Sequence, residues 1–288
     1  MLLLAHAADF DCHVATVNHG LRVEAAGECR LVEGLCGEFD VPCTVIDIML
    51  AEGNTQQEGR RARYAALADW AAGEGIRTIL TAHHADDQAE TLLMRLNRGS
   101  GLAGLAGVRE RRLIDGTNIE VARPLLEFRR SELEAVIDGA SVAVADDPSN
   151  RDAAYDRVRV RQHLERSDWI DVDGLARSAN LIEESWSMVE GLASEDVSLH
   201  AERRDDAFVY HPFAASGIER VPVWIEVVRM IAADLGVILG RSDAAKLVAA
   251  LANLRKVNVG GVSAAIIRED GTNLWLLKRE VPRRSAKP

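Results

Sequence analysis

The sequence has few lysines and no long apolar run. Only four of its 34 basic residues are lysines, and the others are arginines. Genome composition and the recognition of phosphate groups both produce such an excess of arginine, and the sequence leaves the two explanations open. No apolar stretch approaches the roughly 20 residues of a membrane-spanning helix, and the first residues lack the basic region of a secretory signal. We therefore expect a cytoplasmic protein that does not enter a membrane.

Paired cysteines are also missing. None of the four cysteines, Cys12, Cys29, Cys36 and Cys43, belongs to a Cys-x-x-Cys pair, which argues against a zinc ribbon or a dithiol redox site. We predict that all four are buried thiols in a reducing compartment. The net charge of −11 argues against a nonspecific nucleic-acid binder, although it does not exclude a local basic surface.

The first half of the sequence alternates between short β-branched runs and amphipathic segments. The runs typical of buried strands are 12–17, 43–48 and 77–82, and the segments with helical spacing are about 24–39, 56–73 and 86–97. Such alternation predicts an α/β fold, with an open parallel sheet and helices on both faces. Between 111 and 121 the pattern changes, and Asp115-Gly116 indicates a hairpin or an irregular excursion.

From about residue 173 the sequence is mostly helical in pattern. Helices are predicted over about 221–235 and 242–254, and a terminal hairpin over 262–267 and 273–277. We expect two domains: an α/β domain over residues 1–168, and a smaller, mainly helical domain over residues 169–288 that ends in the hairpin.

Three polar clusters follow the predicted strands of the α/β domain. They span residues 18–22, 57–64 and 81–91. Ligands of an open parallel sheet bind beyond the carboxyl ends of its strands. Histidines, aspartates and arginines brought together on one rim would suit a phosphate-bearing substrate and a divalent metal. Each cluster alone is a weak signal, and Asp86 has a structural alternative as the cap of the helix that follows.

A glycine-rich run follows the third cluster. Arg98-Gly99-Ser100-Gly101 is succeeded by Gly104 and Gly107. Such a run could cradle a phosphate or let a polynucleotide backbone approach closely, and it could equally end a helix and form a loop. The sequence leaves these two interpretations open.

Together the clusters resemble the tRNA(Ile)-lysidine synthase family. The matching segments are Asn18 to Arg22, Glu58 to Tyr64, Ala82 to Thr91 with Arg95, Arg98 to Leu102, Arg123 to Leu126, and Asp147 to Asn150 leading to Tyr155 and Arg157. They occur in the family's order over residues 17–161, whereas the helical remainder is a weaker match. The resemblance therefore covers more than half of the chain.

The resemblance implies a PP-loop ATP pyrophosphatase domain that uses ATP and Mg²⁺. Members of the family adenylate the C2 carbonyl oxygen of the wobble cytidine in a tRNA(Ile) with a CAU anticodon. The ε-amine of L-lysine then attacks C2 and displaces AMP. The implied partners are that tRNA and L-lysine, and the chain could form a homodimer. Such an enzyme must neutralise the triphosphate charge and hold the amine near the activated carbon.

Residue roles follow from the resemblance position by position. Asp87, with Asp86 beside it, would hold the lysine ammonium or a magnesium ion, and Asp87 is the one candidate metal ligand. The other catalytic candidates are Arg63, which would bind phosphate or carboxylate, and Arg157, which would clamp the substrate or a tRNA phosphate. The implied nucleotide-binding residues are Asn18, His19 and His84, and the implied tRNA-binding residues are Arg98, Gly99, Arg159 and Arg161. The family usually has asparagine where Val158 stands.

One motif of the family does not occur in the sequence. The family begins with a strand that ends in Ser-Gly-Gly-x-Asp-Ser, whose backbone amides cradle the pyrophosphate of ATP. Met1 to Ala8 resembles the helix after that loop, and we expect the in-frame codons upstream of Met1 to encode the strand and the loop. The alternatives are another PP-loop tRNA-modifying enzyme, or an inactive remnant that only binds tRNA. The thiolases of this superfamily generally have paired cysteines, which are absent here.

Overall fold

The computed structural model describes residues 1–18, 25–49, 56–145, 152, 154–212 and 220–280. The chain divides into two compact units, residues 1–183 and 184–288, and the division falls within one long helix. The domain boundary predicted between residues 168 and 169 stays a prediction.

Helices and strands alternate through the N-terminal unit, as the sequence predicts. In chain order they are α1 (Leu2–Ala7), β1 (Val14–Asn18), α2 (Ala25–Glu38), β2 (Cys43–Asp47), α3 (Gln56–Gly73), β3 (Thr78–Leu80), α4 (Ala85–Asn97), α5 (Leu102–Leu105), β4 (Arg111–Leu113), β5 (Glu120–Ala122), α6 (Arg130–Ala140), α7 (Asp156–Arg166) and α8 (Val172–His200). α8 contains the division between the two units.

Parallel pairing confirms the predicted α/β class. β1 pairs with β2 in parallel, so that Asn18 lies opposite Asp47 at the carboxyl ends of both strands. β3 pairs with β5 in parallel, and β4 pairs with β5 in the antiparallel direction. The excursion around Asp115-Gly116 is therefore the hairpin that connects β4 and β5.

The core of this sheet region centres on α3. Leu67, Ala68 and Ala71 recur on one face of that helix and are buried. They pack with Ile79 of β3 and with half-buried side chains of β1 and β2, of which Val17 is one. Burial of this apolar face fixes α3 against the strands.

The C-terminal unit contains more sheet than the hairpin that the sequence predicts. Its elements are the end of α8, β6 (Ala201–Arg204), β7 (Ala207–Tyr210), α9 (Val221–Asp234), α10 (Arg241–Ala252), β8 (Val257–Val259), β9 (Val262–Glu269) and β10 (Thr272–Arg279). The strands form one antiparallel sheet in the order β6-β7-β10-β9-β8. β9 and β10 are the predicted hairpin, and β6, β7 and β8 were not predicted.

A buried polar network lies within the core of the C-terminal unit. The Tyr210 hydroxyl donates a hydrogen bond to Asp196 at 2.7 Å, and both residues are buried. Burial and the carboxylate of Asp196 raise the pKa of Tyr210 above its ordinary value. Trp275 packs edge-on against both Tyr210 and Trp224, with ring centroids 5.7 and 5.6 Å away. The hydrogen bond between Tyr210 and Asp196 joins β7 to α8 within this unit.

The cysteines are free thiols, and two of the four are buried as predicted. Cys29 and Cys36 are buried, whereas Cys12 and Cys43 are half-buried. Burial and the neighbouring Cys36 raise the pKa of Cys43 to about 11, so its thiol stays protonated and unreactive at neutral pH. Across the described ranges, the helices are too short or too polar to cross a membrane.

Candidate active site

The candidate site lies where α4 begins, just after the carboxyl end of β3. His84 is the residue before the helix, and its backbone N–H donates to the Asp87 carboxylate at 3.1 Å. The ring Nε2 of His84 lies 3.5 Å from the same carboxylate. Asp87 is therefore the side chain that caps α4, rather than Asp86. The His84 ring therefore lies beside this carboxylate.

Asp86 is bound to α6 instead. Its carboxylate accepts a hydrogen bond from the backbone N–H of Arg130 at 2.7 Å and lies 3.3 Å from the Arg129 guanidinium, which also reaches Asp173. Burial would raise the pKa of Asp86, but the Arg130 N–H and the Arg129 guanidinium hold it below its ordinary value. These contacts join α4 to α6. The predicted role of Asp86 beside the reacting groups stays a prediction.

Glu90 is a central charge of the site that the sequence analysis did not single out. It is fully buried on α4, one turn beyond Asp87. Its carboxylate binds Nε of Arg157 at 3.0 Å and Nε of Arg161 at 2.7 Å, both from α7. Arg157 also donates to the Thr91 hydroxyl at 3.1 Å, while its guanidinium keeps partial access to solvent. The spacing of Asp87 and Glu90, three residues apart on one helical face, is the signal that could have identified it.

His83 lies in a strongly cationic environment. Its ring Nδ1 is 3.0 Å from the Thr81 hydroxyl. Burial first, and then the charges of Arg123, Arg60 and Arg157, lower the pKa of His83 to about 4, and Asp87 opposes this shift only partly. The imidazole is therefore neutral at physiological pH. An excess of positive charge around a neutral histidine suits an anionic ligand.

Arg60 of α3 contributes to the same field. Arg60 stacks over the Tyr64 ring, with its guanidinium carbon 5.2 Å from the centroid. Arg63 follows within one helical turn of Arg60 and is exposed. Burial, and then Arg60, Arg109 and Arg157, lower the pKa of Arg95. The arginines around Arg95 therefore lie close enough to repel one another electrostatically. A bound polyanion would relieve that repulsion.

Within the described part of the chain, two buried polar atoms of the site have no hydrogen-bond partner. They are Nδ1 of His84 and Nε of Arg123, whose side chain otherwise donates to the backbone oxygen of Arg109 at 2.5 Å. Buried donors and acceptors are normally satisfied, so unpaired ones mark a place where a ligand can bind. Their position beside His83 and Asp87 agrees with a nucleotide site.

The glycine-rich segment is explained by packing and by the end of α4. Gly99, with φ of +66°, directly follows the last turn of α4, as a helix stop requires. Gly107 also has a positive φ, of +65°, and a β-carbon there would lie 2.3 Å from Oε1 of Gln88. Gln88 is buried and binds both the N–H and the C=O of Val108, at 2.6 and 2.9 Å. Arg95 donates to the carbonyl oxygens of Gly104 and Gly107.

The remaining predicted residues lie at several different places. Asn18 donates to Asp47 at 2.7 Å, at the carboxyl ends of β1 and β2. Arg98 and Arg159 share the carboxylate of Asp156, whereas Arg161 is bound to Glu90. His19 and the Asp147 to Asn150 motif lie outside the described residues. Val158, where the family usually has asparagine, is buried on α7.

The donor set fits a magnesium ion only if a substrate supplies most of its ligands. In the described part of the chain, no three His, Cys, Asp or Glu side chains converge on one point. Asp87 could provide one carboxylate oxygen. Magnesium is commonly held by one or two carboxylates together with substrate phosphates and water, so this arrangement suits a magnesium–nucleotide complex better than a resident metal.

Comparisons with known proteins agree with this geometry. The sequence profile of the PP-loop domain matches residues 1–167, and the chain belongs to the PP-loop domain family. The similarity extends to proteins named tRNA(Ile)-lysidine synthase. The one from Novosphingobium aromaticivorans is 44% identical over 207 residues, which cover 70% of this chain and 64% of that protein. The one from Zymomonas mobilis is 37% identical over 216 residues, covering 74% and 66%.

These relatives confirm the resemblance seen in the motifs. The chain spans roughly two thirds of their length. Among solved structures, the U34-tRNA thiolase NcsA from Methanococcus maripaludis with its [4Fe-4S] cluster superposes with a TM-score of 0.53 at 16% identity. The match covers 64% of this chain and 67% of that one. At that identity the likeness supports the fold alone.

Proposed function

We propose that the chain catalyses the ATP-dependent joining of L-lysine to C2 of the wobble cytidine in a tRNA(Ile) with a CAU anticodon. One observation carries the proposal: the Asp87 carboxylate lies at the start of α4 within a field of arginines from α3 and α7. That field suits the phosphates of ATP, and the carboxylate suits the ammonium of lysine or a magnesium ion. Relatives named tRNA(Ile)-lysidine synthase support the same reaction.

The cationic and the anionic side chains of the site would have different roles. ATP, when bound with Mg²⁺, supplies the adenylyl group that turns the C2 oxygen into a leaving group. Arg60, Arg63 and Arg157 would neutralise the phosphates, and Asp87 would orient the amine toward C2. Glu90 acts as a positioning residue, because it holds Arg157 and Arg161 without facing solvent. Preorganised charges of this kind stabilise charge that develops during the reaction.

The tRNA backbone would lie along exposed arginines near the end of α4. Arg98 and Arg159 are more than half exposed and can exchange Asp156 for phosphate. Gly99, between α4 and α5, would allow close approach of the RNA backbone. Arg161 is mostly buried against Glu90, so we assign it an indirect role. We also propose a cytoplasmic location, and homodimerisation that sedimentation can test.

A lysine-incorporation assay tests the proposal. The chain is incubated with ATP, Mg²⁺, labelled lysine and either tRNA(Ile) or tRNA(Met), both with CAU anticodons. Because Ser-Gly-Gly-x-Asp-Ser does not occur in the sequence, the assay is repeated with a strand and a Ser-Gly-Gly-x-Asp-Ser loop joined to the start of the chain. We expect labelled tRNA(Ile) and equimolar AMP release from the joined protein. Equal labelling of both tRNAs, or sulfur incorporation, would contradict the proposal. Tight tRNA binding with no AMP release would favour an inactive remnant.

A further inference from the structure

A cleft of about 450 Å³ lies on the N-terminal unit, between the second half of α4, α7 and the segment that leads to α8. Leu93, Leu164 and Ile170 are among its apolar residues, and all three are buried or half-buried. Its polar residues are more exposed and include Arg98 and Arg159. The cleft therefore has an apolar floor and a cationic rim, and its volume lies within the range of small-ligand sites.

The rim carries more positive than negative charge. Arg98 and Arg159 both bind the single carboxylate of Asp156, and the N–O distance from Arg98 is 2.8 Å. Since all three side chains are about half exposed, these ion pairs are weak and open to exchange. His163, one helical turn beyond Arg159, lines the same cleft. The face of α7 that carries Arg159 and His163 is separate from the face that binds Glu90.

An exposed tryptophan is the sequence neighbour of one residue of this cleft. Trp169 directly precedes Ile170 in the chain, and 83% of its surface is exposed to solvent. Large aromatic side chains are usually buried, and an exposed one next to a cationic groove is the arrangement by which proteins stack unpaired bases. The cleft and Trp169 are independent features that favour the same ligand.

We infer that the cleft binds an unpaired nucleotide of the RNA substrate, adjacent to the one that reacts. The base would lie on the apolar floor, its phosphate would bind Arg98 and Arg159, and Trp169 would stack on the next base. Leu93 and Asn97 lie six and ten residues beyond Asp87, which is roughly 9–15 Å along α4. A neighbour of the reacting nucleotide, rather than that nucleotide itself, fits this separation. The inference rests on the proposed function for the identity of the RNA.

The phosphate contacts are tested with a charge-removing double variant. Arg98→Ala/Arg159→Ala is compared with Arg111→Ala/Arg112→Ala, which removes two exposed, ion-paired arginines from β4. Binding of a labelled anticodon stem-loop is measured by fluorescence anisotropy over a range of KCl concentrations. We expect at least tenfold weaker binding at low salt for the cleft variant, with the logarithmic salt slope smaller by roughly 0.7 for the one lost phosphate contact. The β4 variant should bind within twofold of the wild type.

The base contact is tested with RNAs that each lack one base but keep every phosphate. We expect the wild type to lose about tenfold in affinity when one base flanking the wobble position is removed. Val160→Phe, which fills the cleft, should abolish that discrimination and bind the abasic RNA as the wild type does. Trp169→Ala, at an exposed position, provides a second variant if Val160→Phe lowers the melting temperature, and should weaken binding of intact RNA about tenfold. Equal affinity for every abasic RNA, or wild-type behaviour of both variants, would overturn the inference.

The two proposals fail in different ways. Loss of single-stranded RNA binding in the cleft variants, without any preference of the wild type for tRNA(Ile), would support the cleft and reject the proposed function. Lysine incorporation into tRNA(Ile) that is unchanged in KM by Arg98→Ala/Arg159→Ala would reject the cleft and support the function. Displacement of the stem-loop from the cleft by L-lysine alone would also overturn the nucleotide assignment.

Discussion

Glu90 of α4 and Arg157 of α7 form an ion pair in which the carboxylate is buried and the guanidinium is partly open to solvent, with 3.0 Å between Oε2 and Nε. The Glu90 carboxylate is therefore held in place by its surroundings, while the Arg157 guanidinium can still reach a ligand. A second arginine, Arg161, completes the neutralisation of Glu90 at 2.7 Å. The pair fixes α7 against α4 and determines where the charge of Arg157 is placed.

Replacement of Glu90 should affect stability and turnover together. Glu90→Gln keeps the side-chain shape but leaves two arginines without their counter-charge, which should cost roughly 1–3 kcal/mol of unfolding free energy because both retain some access to water. Turnover should fall at least tenfold as Arg157 loses its position. Urea denaturation and lysine incorporation measure the two effects. Glu134→Gln, which removes an exposed partner of Arg130, should change stability by less than about 0.5 kcal/mol. Wild-type behaviour of Glu90→Gln would reject this role.

Replacement of Asp87 should lower turnover strongly and change stability little. Asp87→Asn retains an oxygen that can accept the His84 N–H, so unfolding free energy should change by less than about 1 kcal/mol. Loss of the charge should lower lysine incorporation at least tenfold, equivalent to about 1.4 kcal/mol, and Arg63→Ala should do the same without a change in melting temperature. Glu132→Gln is the matched control, since Glu132 caps α6 by accepting the Arg129 N–H at 2.7 Å. A similar loss of activity in Glu132→Gln, or full activity in Asp87→Asn, would show that capping alone matters.

Gly107 should be intolerant of any side chain. Gly107→Ala places a β-carbon 2.3 Å from Oε1 of Gln88 at a φ of +65°, so backbone strain and the displaced Gln88 together should cost roughly 2–4 kcal/mol. Gly116→Ala, with φ of +77° and open space around the β-carbon, should lose only the backbone contribution of about 1–2 kcal/mol. Thermal melts of both variants make the comparison. Equal destabilisation would mean that the contact with Gln88 is unimportant.

His83 should make the fold sensitive to mild acid. In the unfolded chain its imidazole takes up a proton near the ordinary pKa of 6.5, whereas burial and Arg123 lower the pKa to about 4 in the folded protein. Falling pH therefore favours the unfolded state: stability that is complete above pH 7 is lost progressively between about pH 6.5 and 4. His83→Gln should lose less stability than the wild type between pH 7.5 and 5, as measured by urea denaturation. An NMR titration of His83 with a midpoint near 6.5 would contradict the prediction.

Local patterns in the sequence predict the frame of the N-terminal unit well. The strands and helices described between residues 12 and 97 lie at the predicted places, because the strands are short β-branched runs and the helices carry apolar residues at helical spacing. β6 escaped prediction because Ala201–Arg204 contains three charged residues and no alternation. Its strand conformation comes from pairing with β7, which is a property of the folded sheet.

In the candidate site too, residues in local motifs can be proposed from the sequence, whereas long-range partners cannot. Asp87 and Arg63 were assigned from motifs, because their neighbours in the chain mark them, and their roles stay predictions. Glu90 could not be assigned a partner, since Arg157 and Arg161 lie about 70 positions further along. The packing of Gly107 against Gln88 could not be predicted either, since Gln88 lies 20 residues before its hydrogen-bond partner Val108. Long-range contacts of this kind follow from tertiary packing and have no local signal.

α4 bears the His84–Asp87–Glu90 edge on its first turns and the cleft residues Leu93 to Arg98 on its last. A rigid helix fixes both the distance and the rotation between the groups at its two ends. Inserting or deleting one residue between them would rotate one end by about 100° and shift it by about 1.5 Å relative to the other. During evolution, insertions and deletions should therefore accumulate in the loops before and after α4 and be selected against within the helix.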